Sequence, residues 1–330
     1  MANSQPTKAN EAEGRAHFKT LLLAPSYWPT WLGFGLLWLL VNALPHRFLM
    51  SIGAGLGLLA ARFSSRRRKI VARNIALCFP EKSEQAQRAL CKAVFKATGR
   101  GFLQGLCAWF WPAWRLRRLF KRRVDIEGLE HLQASQAQSS RILLSGHFTC
   151  MELGAALVGH LESVNGFYRA HGNAVYEFIQ RRGRERHHKD SLAIARDNLK
   201  GLVRSIKAGR PMCYFPDQDM GRETSVFADF FGVPAATVTA TATLARMTKA
   251  TLIPYVCFYK ASSGRYLLRF LPALTNFPSG KDQASALSDA QRVNHTIEAL
   301  ASGAPEQYLW VHRRFKTRPD GDKDFYRLKS

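Results

Sequence analysis

The sequence predicts an α/β domain with a mostly parallel, mixed sheet flanked by helices, preceded by an N-terminal transmembrane helix. From Val124 onward, short apolar runs alternate with longer stretches of helical spacing. Strands that alternate with helices in this way are typical of parallel sheets. A long uncharged segment near the N-terminus predicts the membrane helix. The 330 residues, 46% of them hydrophobic, suffice for one large domain or two small ones.

The N-terminal segment contains no Lys, Arg, Asp or Glu from residue 20 to residue 45. About 20 such residues are enough to cross the hydrocarbon core of a bilayer as a helix. Trp28, Trp31 and Trp38 suit a membrane helix whose aromatic side chains reach the interfaces. A cleaved signal peptide is the alternative, but its apolar part would be shorter and a small-residue cleavage site would follow it closely. We therefore expect a single-pass anchor at residues 20–45.

Basic residues downstream of this anchor predict its orientation. Arg47 and the basic run at 66–73 follow it, so the positive-inside rule places the main domain in the cytoplasm. A second uncharged stretch at 48–61 is short for a span, and we expect a helix that packs on the anchor or lies in the membrane interface. The predicted organisation is a polar tail (1–19), the anchor (20–45), a helical membrane-associated region (46–123) and an α/β core (124–330).

The charge of the chain predicts acidic partners. Lys and Arg number 48 against 24 acidic residues, which gives a formal net charge of +24. An anionic membrane surface, a phosphorylated substrate, an acidic protein or a nucleic acid would each fit. The aromatic and basic run at 109–123 suits lipid headgroups, although a core helix with a solvated charged end predicts the same pattern. No known nucleic-acid-binding motif occurs, so we expect no nucleic-acid partner, and a membrane-tethered nucleic-acid binder is the most distant alternative.

The six cysteines are widely spaced, and no C-x-x-C pair occurs. This spacing predicts neither a zinc site nor a disulfide framework. We expect free thiols in a reducing compartment, no metal and no cofactor.

His147 and Glu152 follow the first clear strand, predicted at 141–145. Ligands of open α/β sheets bind beyond the carboxyl ends of the strands. At this spacing a continuous helix would point the two side chains about 140° apart. They can meet only if His147 lies on the turn and Glu152 in the first helical turn, for which Gly146 permits the turn and Thr149 serves as N-cap. A histidine steered by a carboxylate can take a proton from a hydroxyl, which predicts a catalytic dyad.

The same residues also allow a structural interpretation. Thr149 and Glu152 have the spacing of a capping box, which would give Glu152 a purely structural role. A lone histidine after a strand is also common. Because no G-x-S-x-G elbow occurs, a catalytic histidine would activate the hydroxyl of an acceptor rather than a serine nucleophile.

Further candidates follow other predicted elements. Asp217 and Asp219 lie in a loop bounded by proline and glycine, where two acids could bind a cation, orient a base or make the turn. A magnesium site would usually need more ligands or a substrate phosphate. Arg169 and Arg184 are candidate clamps for a phosphate or carboxylate, with surface solubility as the alternative.

Five stretches carry a family resemblance: residues 25–33, 74–81, 146–154, 215–221 and 305–319. Together they resemble the lipid A secondary acyltransferases of Gram-negative bacteria, of the lauroyl/palmitoleoyl type, over nearly the whole chain. The His-x4-Glu core alone is shared with the wider glycerolipid acyltransferases, whereas the first and last stretches are more specific. The resemblance implies a glycerolipid-acyltransferase-like α/β fold.

The resemblance also implies a reaction. A fatty acyl chain would pass from acyl carrier protein to a hydroxyl of an acyl chain on the Kdo-linked lipid A precursor, in lipopolysaccharide biosynthesis at the bacterial inner membrane. An acidic carrier and an anionic membrane lipid both suit the positive charge of the chain. Acylation of a lysophospholipid or another lipid hydroxyl is the nearer alternative, against which Glu rather than Asp at position 152 argues.

The family pattern assigns roles to particular positions. The resemblance implies His147 as general base oriented by Glu152, with Arg184 and Asp217 in supporting positions. Gln218 and Met220 depart from the His and Tyr expected in that loop, a difference that concerns the choice of acyl chain.

Overall fold

The computed structural model describes residues 24–196, 198–322 and 324–326. The predicted tail and the first residues of the predicted anchor, 20–23, lie outside the described residues. Five helices precede the sheet: α1 (Trp28–Ala43), α2 (His46–Phe63), α3 (Ser65–Cys78), α4 (Glu84–Phe110) and α5 (Ala113–Arg123). Helix α3 ends directly before Phe79-Pro80, because a proline disfavours helical geometry in the residue before it.

Helix α1 forms most of the described part of the predicted anchor. It buries Phe34 and Val41 against the rest of the protein and leaves Leu32, Leu36 and Leu39 exposed along its outer face. Within the described ranges, no single helix is long and apolar enough to cross a membrane. Helices α2 and α3 taken together are long and apolar enough by length and composition, but they are bent by 102° relative to each other.

Helix α2 contains the uncharged stretch 48–61, and its inner face packs closely on α4. Gly53 and Gly57 face Gly99, and a Cβ atom on Gly57 or Gly99 would overlap the backbone of the opposite helix. These glycines allow the two helix axes to approach, while Phe48 and Leu59 remain exposed on the outer face of α2.

The strands are β1 (Val124–Glu127), β2 (Arg141–Leu144), β3 (Asn165–Tyr168), β4 (Ala193–Ala195), β5 (Met212–Tyr214), β6 (Ser225–Phe230), β7 (Val233–Val238), β8 (Thr251–Lys260) and β9 (Arg265–Phe270). Seven of them form one sheet in the order β1-β9-β8-β2-β5-β3-β4. Neighbouring strands are parallel except for β8 and β9, so the predicted mostly parallel, mixed sheet is confirmed. A separate antiparallel hairpin is formed by β6 and β7.

Helices cover both faces of this sheet. The remaining helices are α6 (Leu129–Ser135), α7 (Met151–Val158), α8 (Ala174–Glu185), α9 (Leu199–Lys207), α10 (Ala240–Thr248) and α11 (Gln283–Ser302). Because side chains alternate along a strand, Leu143 of β2 packs on one face, while Ile142 and Leu144 pack on the other. The first face is covered by α1, α5, α7 and α8, and the second by α3, α9, α10 and α11.

The helical spacing of residues 191–208 predicts one helix over this range, but the segment does not form a single helix. Its first part forms β4, and α9 starts at Leu199 after Asn198, whose side chain accepts a hydrogen bond from Gly201 N. A strand of three residues is too short to show a period, so only its pairing with β3 identifies it.

Candidate active site

His147 lies on the turn between β2 and α7 and contacts Asp217, which follows β5. The backbone N–H of His147 donates to Asp217 Oδ2 at 2.8 Å, and His147 Nδ1 lies 2.6 Å from Asp217 Oδ1. Strands β2 and β5 are parallel neighbours, so the loops after their carboxyl ends meet at one edge of the sheet. The carboxylate of Asp217 therefore fixes both the backbone and the ring of His147.

Gly146 permits this approach by its lack of a side chain. A Cβ atom there would lie 2.8 Å from Ile297 Cγ2 and 3.2 Å from both Asp217 Oδ2 and Tyr308 Cε2. A side chain at position 146 would collide with the Asp217 loop and with α11, which pack directly against Gly146. This close packing is the reason that the turn requires glycine.

Asp217 is buried and ionised. Burial raises the pKa of its carboxyl, but the His147 ring and the hydrogen bonds from His147 and Tyr308 outweigh burial and hold that pKa well below its usual range. A carboxylate that accepts from Nδ1–H leaves Nε2 as the basic nitrogen of the imidazole and stabilises the imidazolium that forms on protonation. The pair is therefore suited to general base chemistry.

Glu152 does not hydrogen-bond to His147, and the expectation that it orients this ring is corrected. It lies in the first turn of α7, where Oε2 accepts from Trp109 Nε1 at 3.0 Å and from Arg184 Nε at 3.1 Å, and Oε1 accepts from Arg184 Nη2. The first turn of α7 directs Glu152 toward α4 and α8. The capping-box alternative is also wrong, because the N-cap of α7 is Cys150 and no side-chain cap bond forms.

Arg184 forms a bidentate ion pair with Glu152, so it is not the free anion clamp that the sequence suggested. Burial alone would raise the pKa of Glu152, but the attraction of Arg184 and the hydrogen bonds from Arg184 and Trp109 lower it below its ordinary value. The guanidinium also lies 5.5 Å from the centre of the Tyr168 ring. The pair joins α7 to α8 beside the site.

We expect Glu152→Ala to reduce the free energy of unfolding by about 3 kcal/mol, because it leaves the charge of Arg184 largely buried and unpaired. Chemical denaturation of the detergent-solubilised protein measures the change. The double variant Glu152→Ala/Arg184→Met, which removes both charges, should be more stable than the single variant. A single variant as stable as the starting protein would contradict a structural role for this pair.

The other two predicted residues lie apart from the His147–Asp217 pair. Asp219 accepts from Thr317 N at 2.6 Å, Thr317 Oγ1 at 2.8 Å and Gly221 N at 3.0 Å, so it fastens the 217–221 loop to the C-terminal stretch. Arg169 follows β3 and is exposed at the wall of the cavity described next.

A cavity of about 580 Å³ extends from His147 along the carboxyl edge of the sheet. Its walls are mainly apolar, and their apolar side chains include Met151, Val164, Phe167, Leu199, Leu202, Phe215, Val238, Leu244 and Met247. Glu152, Arg184, Gln218 and Met220 also line it. Such a volume is within the range of sites for sizeable organic ligands, and this lining suits a hydrocarbon chain.

The C-terminal stretch completes the site in a way that the sequence did not predict. Leu309 N donates to His147 O at 2.9 Å, and the Tyr308 hydroxyl bonds to Asp217. The ring of His312 lies 5.9 Å from that of His147, centre to centre. Asn74 of α3 donates to the carbonyls of Trp310 and His312 at 2.7 and 2.8 Å. The family resemblance of residues 305–319 is the only feature of the sequence that points to this stretch, and the resemblance assigns no role to its residues.

A histidine–aspartate pair beside an apolar cavity, at the carboxyl edge of an α/β sheet, defines a candidate acyl-transfer enzyme. The chain belongs to the bacterial lipid A biosynthesis acyltransferases, whose family model matches residues 15–317. It is therefore a transferase of the lipid A biosynthetic pathway.

Curated relatives align with this chain over most of their length. The chain is 44% identical over 306 residues, 92% of this chain and 96% of the relative, to the lipid A biosynthesis lauroyltransferase of Escherichia coli K12. It is 38% identical over 311 residues, 94% of this chain and 98% of the relative, to the lipid A biosynthesis palmitoleoyltransferase of the same organism. The lipid A biosynthesis myristoyltransferase of that organism is 29% identical over 333 residues, 98% of this chain and 99% of the relative.

Proposed function

We propose that this protein transfers a fatty acyl chain from acyl carrier protein to a hydroxyl of an acyl chain on the Kdo-linked lipid A precursor. The observation that carries this proposal is the His147–Asp217 pair at the wall of an apolar cavity. Two relatives are named as a lauroyltransferase and a palmitoleoyltransferase, and these names support a fatty acyl chain as the group that is transferred.

The chemistry follows from the geometry of the pair. His147 Nε2 takes the proton of the acceptor hydroxyl, and the hydroxyl oxygen attacks the carbonyl carbon of the donor thioester. The new C–O ester bond forms as the C–S bond breaks, and the imidazolium returns its proton to the departing thiolate. Asp217 stabilises the imidazolium while the proton is held.

An acceptor comparison tests this function. The purified protein receives lauroyl-acyl carrier protein and either the Kdo-linked precursor or lysophosphatidylethanolamine in mixed micelles, and mass spectrometry follows the products. We expect one added acyl chain on the precursor and little product from the lysophospholipid. Preferred acylation of the lysophospholipid would support the rival assignment, and the lipid composition of a strain without the gene provides an independent check.

The protein lies, in our proposal, at the inner membrane with its catalytic domain in the cytoplasm, held by the segment 20–45. The exposed apolar face of α1 supports this location, as do Phe48 and Leu59 on α2 and the charge of +24. An apolar face beside basic residues suits an anionic membrane surface.

We expect the triple variant Leu32→Gln/Leu36→Gln/Leu39→Gln to move a substantial part of the protein out of the membrane pellet at high salt. The three side chains are exposed, so their loss removes apolar contact with lipid and leaves the buried face of α1 intact. Ultracentrifugation of cell extracts measures the distribution. Leu287→Gln, at an exposed position of α11, is the control, and full retention of the triple variant would show that α1 is not the principal membrane contact.

A further inference from the structure

Helices α9 and α10 form a basic surface on the second face of the sheet. The two helices contact each other, and neither contains an acidic residue. Their cations are Lys200, Arg204 and Lys207 of α9, Arg246 of α10, and Lys249 directly after α10. Within the described ranges, none of the five forms an ion pair with a carboxylate. We call these two helices with Lys249 the α9–α10 surface.

Large apolar side chains connect this surface with the apolar cavity. Leu199, Met220 and Met247 line the cavity, yet they are 52%, 40% and 47% exposed. They therefore mark its mouth. Leu199 begins α9 and Met247 lies in α10, so the mouth opens beside the cations of the α9–α10 surface. Exposed apolar patches rimmed by polar residues mark sites of contact with a protein or a membrane.

The α9–α10 surface differs from the face proposed to contact lipid. Helix α1, with its exposed leucines, packs on the first face of the sheet, whereas α9 and α10 pack on the second. A partner on the α9–α10 surface can therefore reach the mouth of the cavity without displacing α1 from a bilayer. A soluble, acidic partner matches the charge of this surface.

We propose that the α9–α10 surface, together with Leu199, Met220 and Met247, docks the acidic carrier protein that brings the acyl thioester. This inference rests on the proposed function. The acidic side chains of the carrier meet the cations, its apolar contacts meet the three rim residues, and the thioester arm enters the mouth toward His147. Complementary charge increases the rate of productive encounter more than it increases the final affinity.

The test is the double variant Lys200→Glu/Arg204→Glu, with Lys92→Glu/Lys96→Glu on α4 as the matched control. Both pairs have the same spacing on a helix, and neither lines the cavity. The probes are lauroyl-acyl carrier protein and lauroyl-coenzyme A, with the acceptor saturating in mixed micelles. We expect the ratio of kcat/KM for the carrier thioester to that for the coenzyme A thioester to fall about tenfold in the test variant, mainly through KM.

Salt should reduce the difference between the starting protein and the test variant, because screening acts over roughly 10 Å at 0.1 M ionic strength. The control pair should leave the donor ratio unchanged. An unchanged ratio in the test variant, or an equal fall in the control, would overturn the docking surface. A starting protein that uses both donors equally at every salt concentration would instead contradict the proposed carrier donor, so the two failures are distinguishable.

A binding experiment separates the carrier from a lipid surface. The test variant should sediment with vesicles of phosphatidylglycerol as the starting protein does. Loss of vesicle binding together with an unchanged donor ratio would make the α9–α10 surface a membrane contact and overturn the proposal.

Discussion

His147→Ala is expected to lower the rate of acyl transfer by about two to four orders of magnitude, the usual contribution of a positioned general base. Without the imidazole, no side chain bonded to Asp217 can take the proton of the acceptor hydroxyl. The protein should still fold, because His147 Nδ1 makes only one of the bonds that hold this loop, and its backbone bonds to Asp217 and Leu309 remain. Initial rates with lauroyl-acyl carrier protein measure the loss.

The control is His295→Ala, at an exposed position of α11. It should transfer acyl chains at the starting rate. Near-normal turnover of His147→Ala, with the circular dichroism of both variants unchanged, would remove His147 from the chemistry and leave the cavity as a binding site only.

Asp217→Asn is expected to lower kcat by about three to four orders of magnitude, the loss found when an amide replaces the carboxylate of a histidine pair. The amide is nearly isosteric, but it can donate to Nδ1 and so favour the tautomer with its proton on Nε2. That tautomer cannot act as the base. The imidazolium also loses the charge that stabilises it, because the carboxylate is ionised in the folded protein.

The double variant His147→Ala/Asp217→Asn shows whether the two residues act as a unit. Its loss should be close to that of His147→Ala alone, because the carboxylate acts only through the ring. If the loss of rate in the double variant equals the product of the two single losses, Asp217 has a role that does not depend on the ring. Asp219→Asn is the matched control in the same loop: it should affect stability more than kcat, since its carboxylate bonds to Thr317 and Gly221 rather than to the ring.

Glu152 shows how far the sequence could predict the site. The His-x4-Glu pattern identified two residues that line one cavity, but it paired them with each other. Spacing in the sequence gives the angle between side chains on one helix, and it contains no information about which groups other strands and helices bring near. The partner of His147 comes from the loop after β5, and that of Glu152 comes from α8.

The sequence by itself determined the α/β class with its mostly parallel sheet, the helical character of the region before the sheet and the position of His147 after β2. These features depend on local spacing of apolar residues and on turn residues, which one stretch of chain contains in full. Only the tertiary structure decided that Asp217 orients His147, that Arg184 neutralises Glu152 and that residues 305–319 support the base. Each of these contacts joins residues far apart in the chain. His147 and Asp217 become neighbours because the parallel strands β2 and β5 end at one edge of the sheet, and the other contacts depend on how helices and the C-terminal stretch pack beside it.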